Sequence, residues 1–251
     1  MDVDFLREAY YRLRQDGAPG LSGITAKEYG KELEANLIDL HARLKAQRYV
    51  APPIKRVWIE KEGGKKRPIG ISEIEDKIVQ KAVSMRMGAV YEQDFYPFSY
   101  GFREEHNAHQ AIGEIRAQCM KHGIRWIYDA DISGFFDNID RGWLRRFIQQ
   151  RINDGGLLRL IGKWLNAGVM EGDQITYSDR GTPQGGLCKA LHKDPYVKLS
   201  IMQSNQGKLF SLQVFLANLL CIILYDFLNQ NLKNQPLTFI YCIFHLLCSR
   251  N

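Results

Sequence analysis

The sequence predicts an α+β chain, and three observations carry that expectation. Apolar residues recur at helical spacing over 75–92 and 140–152. Short strand-like runs at 54–60, 66–71 and 124–132 lie among the helices. Turn chemistry at Gly17-Ala18-Pro19-Gly20, Gly63-Gly64 and Asp154-Gly155-Gly156 separates the elements. Helices and strands in this order suit an α+β domain. The length of 251 residues allows one large or two small domains.

The elements follow in order. Residues 2–15 form a first helix, which the Gly17 to Gly20 turn ends. Thr25 with Glu28 three residues on makes a capping box for a helix over 26–46. Pro52-Pro53 stops that region, and Ile54 to Glu60 (IKRVWIE) reads as a strand. A Glu62-Gly63-Gly64-Lys65 turn leads into a second strand at 66–71, making a hairpin. Over 75–92, Ile78, Ala82, Met85 and Ala89 fall on one helical face. Residues 107–121 are a further helix, and 124–132 a strand that is apolar until its acidic end. Trp143, Leu144, Phe147, Ile148 and Ile152 define the apolar face of a helix over 140–152, and helix resumes over 157–167.

Bulk properties bound the partners. A net charge of +6 and a pI near 9.0 admit a polyanion, but the excess is mild. Five Cys form no C-x-x-C pair, so neither a zinc site nor a disulfide framework is expected, and a reducing cytoplasm fits best. Residues 1–186 and 187–251 differ in character: all four Trp lie in the first part and four of the five Cys in the second. The second part carries six Lys/Arg against two acids, net +4, which leaves +2 for the first. The boundaries expected are therefore 1–186 and a divergent apolar tail, 187–251. The tail's apolar stretches at 214–228 and 237–248 fall short of the ~18–20 clean apolar residues of a spanning helix, so membrane insertion is not expected.

Four stretches carry chemistry. In Asp129-Ala130-Asp131-Ile132-Ser133-Gly134-Phe135-Phe136-Asp137, the strand end holds the Asp131 carboxylate rigidly. Phosphoryl transfer asks chiefly for hard oxygen ligands to Mg²⁺ and in-line geometry. Asp131 offers one such ligand and the Ile132 carbonyl another, while Phe136 can lie beneath a sugar; alone, the stretch is equally a strand end with solvated carboxylates. In the hairpin, Lys61, Lys65, Lys66 and Arg67 project cations suited to a triphosphate, or form an ordinary solvated charge run. Gly181-Thr182-Pro183-Gln184-Gly185-Gly186 permits a tight backbone path beside a ligand, with Gln184 offering donor and acceptor. Ser99-Tyr100-Gly101-Phe102-Arg103 can stack bases and hold phosphates, or be a packed turn.

The joint order of these landmarks narrows the choice. Together with Tyr49-Val50-Ala51-Pro52-Pro53-Ile54, Arg67-Pro68-Ile69-Gly70-Ile71 and Asp76-Lys77-Ile78-Val79-Gln80, residues 17–186 closely resemble the reverse transcriptases encoded by group II introns. The resemblance implies a right-hand fold, here fingers plus an incomplete palm and no thumb. It implies RNA-directed DNA polymerase activity with Mg²⁺. The partners it implies are intron RNA, an RNA template, a DNA primer and deoxynucleotides. By position, Asp131 resembles the first catalytic metal ligand, joined by Ile132. Lys61, Arg67, Ile132, Phe136 and Gln184 resemble nucleotide contacts. Tyr100, Arg103, Lys66 and Gly185 resemble template or RNA contacts.

Departures from the family pattern are specific. Ser22 stands where Asp is usual, Glu104-Glu105 where Pro-Gly is usual, and Arg141 where His commonly follows Ile-Asp. The Tyr-x-Asp-Asp pair expected beyond the Gly-Gly loop has no counterpart: after Gly186 the only acids are Asp194 and Asp226. Two readings remain open for the tail: foreign sequence after a frame change or truncation near Gly186, or an interrupted palm in which Leu216-Ala217-Asn218 and Asp226 faintly resemble the family. Either way the polymerase site is incomplete, and the strand bearing Asp131 is expected to have an uncovered edge. A reverse transcriptase inactive as an isolated chain, an RNA-binding maturase-like protein, and a polymerase completed by a second chain are the functional alternatives.

Overall fold

A computed structural model describes residues 1–60, 64, 66–95, 97–101, 103–130, 138–182, 199–204 and 209–212, with backbone alone for 125–130 and the last two stretches. Its contacts divide the chain into two compact units, residues 1–90 with 135–191, and 91–134 with 192–251. The division follows contacts, not the composition break after residue 186.

In the first unit, α1 (Val3–Tyr11) is capped by Asp2, whose side chain accepts from the Phe5 N–H. The helix is shorter than the 2–15 expected. Thr25 and Glu28 form the capping box that their spacing indicates, opening α2 (Ala26–Tyr29). The single helix expected over 26–46 is interrupted, since a 3₁₀ turn (Gly30–Glu32) precedes α3 (Leu33–Lys45). Gly30 is a poor helix former, and the Tyr29 carbonyl there accepts from Asn36 Nδ2 at 3.0 Å. Buried Leu6, Ala9, Leu37 and Leu40 supply apolar core on α1 and α3.

The hairpin forms as expected: β1 (Ile54–Glu60) pairs antiparallel with β2 (Lys66–Ile71). Helix α4 (Ile74–Tyr91) follows. Its buried stripe is Ile78, Val79, Ala82, Val83 and Met87. Met85 is half-buried and Ala89 exposed, so the face is rotated from the one read in the sequence. Helix α6 (Arg141–Arg151) is capped by Asp140, and α7 (Gly155–Asn166) by Asp154, which accepts from the Gly156 and Leu157 N–H groups. Capping draws the two glycines into α7. On α6, Ile148 is buried but Trp143 is 53% exposed, so the expected apolar face is only partly a core face.

Two short strands escape the sequence reading. After α7, β4 (Val169–Glu171) and β5 (Gln174–Thr176) form a second hairpin. Strand β4 pairs parallel with β1, giving the order β2-β1-β4-β5.

In the second unit, α5 (Ala108–His122) begins with a capping box of Asn107 and Gln110 and ends at Gly123 in the left-handed region. It leads into β3 (Ile124–Ala130). Strand β3, expected to have a bare edge, is paired on one side and stands at the end of its described sheet. Tail strand β6 (Leu199–Ser204) runs antiparallel to it, opposite Ala130 at its start and Ile124 at its end, and β7 (Leu209–Leu212) completes the sheet. The tail therefore contributes backbone hydrogen bonds to the strand that leads into Asp131.

Candidate nucleotide and nucleic-acid surfaces

The first surface is built on β1 and β2. Register pairs Glu60 with Lys66, Ile59 with Arg67, Trp58 with Pro68 and Arg56 with Gly70. Side chains alternate across a strand, so Arg67 shares a face with Ile59 and Val57, and Lys66 shares the other with Arg56, Trp58 and Glu60. Glu171 of β4 organises that second face: it accepts from Trp58 Nε1 at 2.7 Å and from Arg56 at 3.4 Å. Of the four cations read together in the sequence, Lys66 and Arg67 thus point to opposite sides of the hairpin. Lys61 and Lys65, expected to join them, lie outside the described residues.

The second element is the entry to the Gly181 to Gly186 loop. Gly181 has φ +71°, a left-handed value that a side chain would strain. Its N–H donates to the Ile139 carbonyl at 2.8 Å, and its carbonyl accepts from Arg141 Nε at 3.0 Å. Arg141 also donates to Asn166 Oδ1 at 3.2 Å, and burial lowers its pKa from the usual arginine value. Thr182 is buried beside this anchor. Arg141 was noted in the sequence only as a departure from His; its reach to a loop carbonyl had no local signal, since 40 residues separate the partners. Gln184 and Gly185 lie outside the described residues.

A buried polar group supports the unit from behind. Asp76 is 1% exposed on α4. The Tyr49 hydroxyl donates to Asp76 Oδ1, and Trp164 Nε1 on α7 donates to the Tyr49 hydroxyl at 3.1 Å. Lys163 Nζ donates to the Tyr49 carbonyl and stands 6.0 Å from the Tyr49 ring centroid. Burial pushes the Asp76 carboxyl up to about 7, with the Trp164 N–H drawing it slightly the other way. The cluster ties α4, the segment before β1 and α7 together.

The loop after α1 is fixed by Glu73. Its carboxylate accepts from the Ser22 N–H at 2.7 Å and the Ser22 hydroxyl at 2.6 Å. A Cβ on Gly20 would lie 2.6 Å from Glu73 Cδ, so glycine lets the chain pass. Lys77 Nζ donates to the Ala18 carbonyl at 2.6 Å. An Asp at position 22 would place a second carboxylate against Glu73. Ser22→Asp should cost about 1–2 kcal/mol at neutral pH, because a donor is replaced by a second carboxylate. Denaturant melts should show most of that loss recovered in Ser22→Asp/Glu73→Gln.

In the second unit, Arg103 has a side chain 10% exposed. It donates to Glu92 Oε1 at 2.6 and 3.0 Å and to the Ser99 carbonyl at 2.8 Å, and lies 5.2 Å from the Phe95 ring centroid. These contacts hold the turn before α5. Tyr100 is half-buried, its ring 5.7 Å from that of His106. Glu105 has φ +63°, at the position where the family usually has glycine. Asp131, Ile132 and Phe136 lie outside the described residues. Among the described residues no group of three or more His, Cys, Asp or Glu could hold a metal ion, and Asp140 is engaged as the α6 cap. Nor is any described helix long and apolar enough to cross a membrane.

A cation-bearing hairpin, a Gly-Thr-Pro-x-Gly-Gly sequence whose first glycine is anchored from the earlier helix α6, and a strand whose sequence continues into an acidic cluster are features of a nucleic-acid polymerase domain. Residues 59–190 match the family described as reverse transcriptase (RNA-dependent DNA polymerase), and the chain belongs to that family. Its relatives place it among the group II intron-encoded reverse transcriptases and maturases. Group II intron-encoded protein LtrA of Lactococcus lactis is 35% identical over 198 residues, 77% of this chain and 32% of that protein. Protein YkfC of Escherichia coli is 34% identical over 176 residues, 69% of this chain and 46% of that protein. Nuclear intron maturase 1 of Arabidopsis thaliana is 30% identical over 124 residues, 47% of this chain and 17% of that protein. The chain thus spans less than half the length of each. A solved structure titled "Partial Cas6-RT-Cas1--Cas2 complex" aligns with a TM-score of 0.46 at 21% identity, covering 75% of this chain and 31% of that one. Membership of the reverse transcriptase family gives the chain the α+β fold of the reverse transcriptase hand; the family's partners are nucleic acids and its cofactors divalent metal ions.

Proposed function

We propose that this chain is the fingers and partial palm of a group II intron reverse transcriptase, built for template-directed nucleotidyl transfer with Mg²⁺ but incomplete for catalysis alone. The observation that carries incompleteness is the acid count: after Gly186 only Asp194 and Asp226 remain, 32 positions apart. Two Mg²⁺ ions each need several hard oxygen ligands, and Asp131 with the Ile132 carbonyl is too small a set. Lys61, Arg67, Phe136 and Gln184 are assigned to the incoming nucleotide, and Lys66, Tyr100, Arg103 and Gly185 to template RNA. The cytoplasm is the assigned compartment.

Primer extension on poly(rA)/oligo(dT) with Mg²⁺ tests this reading. The expected result is no extension above background by the purified chain. Extension that disappears in Asp131→Ala would overturn the incompleteness while upholding the assignment of Asp131.

A further inference from the structure

We infer that Glu171 is a positioning residue for the nucleotide grip: through Trp58 and Arg56 it sets the direction in which the β1–β2 hairpin carries Arg67. This role rests on the assignment of Arg67 to the incoming nucleotide proposed above. Among the described residues, strand β4 supports β1 at its root alone, where Ile54 pairs with Val169 and Lys55 with Met170. The chain then leaves β4 through Gly172, at φ +58°, and turns into β5. From Arg56 outward, the described ladder partner of β1 is β2, which itself stands at the end of the sheet. Arg56 to Glu60 carry the hairpin about 15 Å past the last β4 pair, at about 3.3 Å per residue.

Glu171 is the last residue of β4 and continues the contact where the backbone ladder stops. The parallel register sets it beside Arg56, and alternation along β1 brings Trp58, two residues on, to the same face. Its carboxylate accepts from Trp58 Nε1 at 2.7 Å and from Arg56 at 3.4 Å. Among the described residues, these are the only side-chain hydrogen bonds that tie residues 55–71 to the rest of the unit. Trp58 is 46% exposed, so the indole N–H bond, more than packing, fixes the orientation of its ring. Arg67 pairs with Ile59 and faces the opposite side, so the strut braces the hairpin from behind without occupying the grip. A tilt of about 5° at the root would move Arg67 by about 1 Å, the scale at which a preorganised site loses its geometry.

The full chain is titrated with mant-dTTP and Mg²⁺ in the presence of poly(rA)/oligo(dT), with thermal melts confirming folding and hydrogen exchange read over residues 57–60 and 66–69. Arg67→Ala is the reference for the nucleotide assignment and should lose most of the affinity. Glu171→Ala and Trp58→Phe are each expected to weaken binding about 3- to 10-fold, since the competent hairpin orientation becomes a fraction of the population. The double variant should bind no more weakly than the weaker single one, because both remove the same contact. Glu171→Gln keeps an acceptor for Trp58 Nε1 and should recover most of the affinity. Hairpin amides should exchange faster in Glu171→Ala, while those of α4 stay unchanged. If the wild-type chain binds no mant-dTTP, or Arg67→Ala binds like wild type, the nucleotide assignment fails and the positioning role falls with it. If Arg67→Ala is weak but Glu171→Ala binds like wild type, the strut is overturned and the nucleotide assignment stands. Weakened binding with unchanged hairpin exchange also overturns the strut, since Glu171 would then act on the ligand directly. A glutamine variant as weak as alanine overturns it as well, by making the effect one of charge alone.

Discussion

Replacing Asp76 by Asn is expected to remove a pH dependence of stability that the wild-type chain shows between about pH 4 and pH 7. The sign follows from linkage. In the unfolded chain this carboxyl titrates at its ordinary value of 3.8, whereas burial raises it to about 7 in the fold. The folded state therefore holds a proton that the unfolded state has released. The associated stability is complete below the unfolded value and is lost as pH rises through the folded one. A difference of about three units corresponds to roughly 4 kcal/mol, a large share of a domain's usual stability. Asparagine keeps the shape and can still accept from Tyr49 through its carbonyl oxygen, but bears no charge at any pH. Urea melts at pH 5, 6, 7 and 8 check this: wild type should weaken steadily to pH 7 and then level off, while Asp76→Asn should change little and exceed wild type at pH 8. A wild-type curve flat across this range would refute the assignment. Exposed carboxylates held low by their partners, such as Glu34 beside Arg7 and Asp16 beside Arg14, act in the opposite direction and at lower pH, so the two windows separate.

Much of this arrangement was legible from local signals. The Thr25–Glu28 box and the β1–β2 hairpin each depend on residues within a few positions of one another, where spacing is a direct statement of geometry. The family landmarks were legible as an ordered series in the same way. What escaped the sequence depends on distant partners. Strands β4 and β5 are three residues each, too short for a period, and β4 exists as a strand because β1 lies beside it. Trp143 reads as core by its spacing, yet the apolar stripe of α6 is satisfied by Ile148 and Ile152, and the ring is left to the surface. Arg103 reads as an RNA contact in a Gly-aromatic-Arg run, and nothing nearby announces that it also binds Glu92 and the Ser99 carbonyl. The edge of β3 looks bare because the expected acidic hairpin is missing from the sequence. A strand needs only backbone to pair, and the tail provides it without the expected acids.

Arg141→Ala should loosen the entry to the Gly181 loop more than any other single change on the loop side of the first unit. The guanidinium is partly buried and bridges the Gly181 carbonyl and Asn166 Oδ1, while the Gly181 N–H is already committed to Ile139. Removing it leaves a loop carbonyl and an amide oxygen without a charged donor; such bonds are worth about 1.5–3 kcal/mol each, so a net loss of roughly 2–3 kcal/mol is expected. Arg141→Lys discriminates geometry from charge. A lysine keeps the cation but offers a single ammonium where a planar fork met two acceptors, so its stability should fall between wild type and the alanine variant. Arg141→His restores the family's usual residue with a shorter side chain that cannot span both partners. It should resemble lysine or fall below it. Hydrogen exchange localises the effect: amides of residues 178–182 should exchange faster in the order wild type, Lys, Ala, while those of α4 remain unchanged. Equal protection in wild type and Arg141→Ala would mean that the Gly181 turn holds itself through the Ile139 contact alone. The predicted order matters beyond stability, because Gln184 follows this anchor by three residues. A residue assigned to the incoming nucleotide is positioned only as well as the backbone leading to it, and Arg141 fixes that backbone from the helix that the acidic cluster leads into.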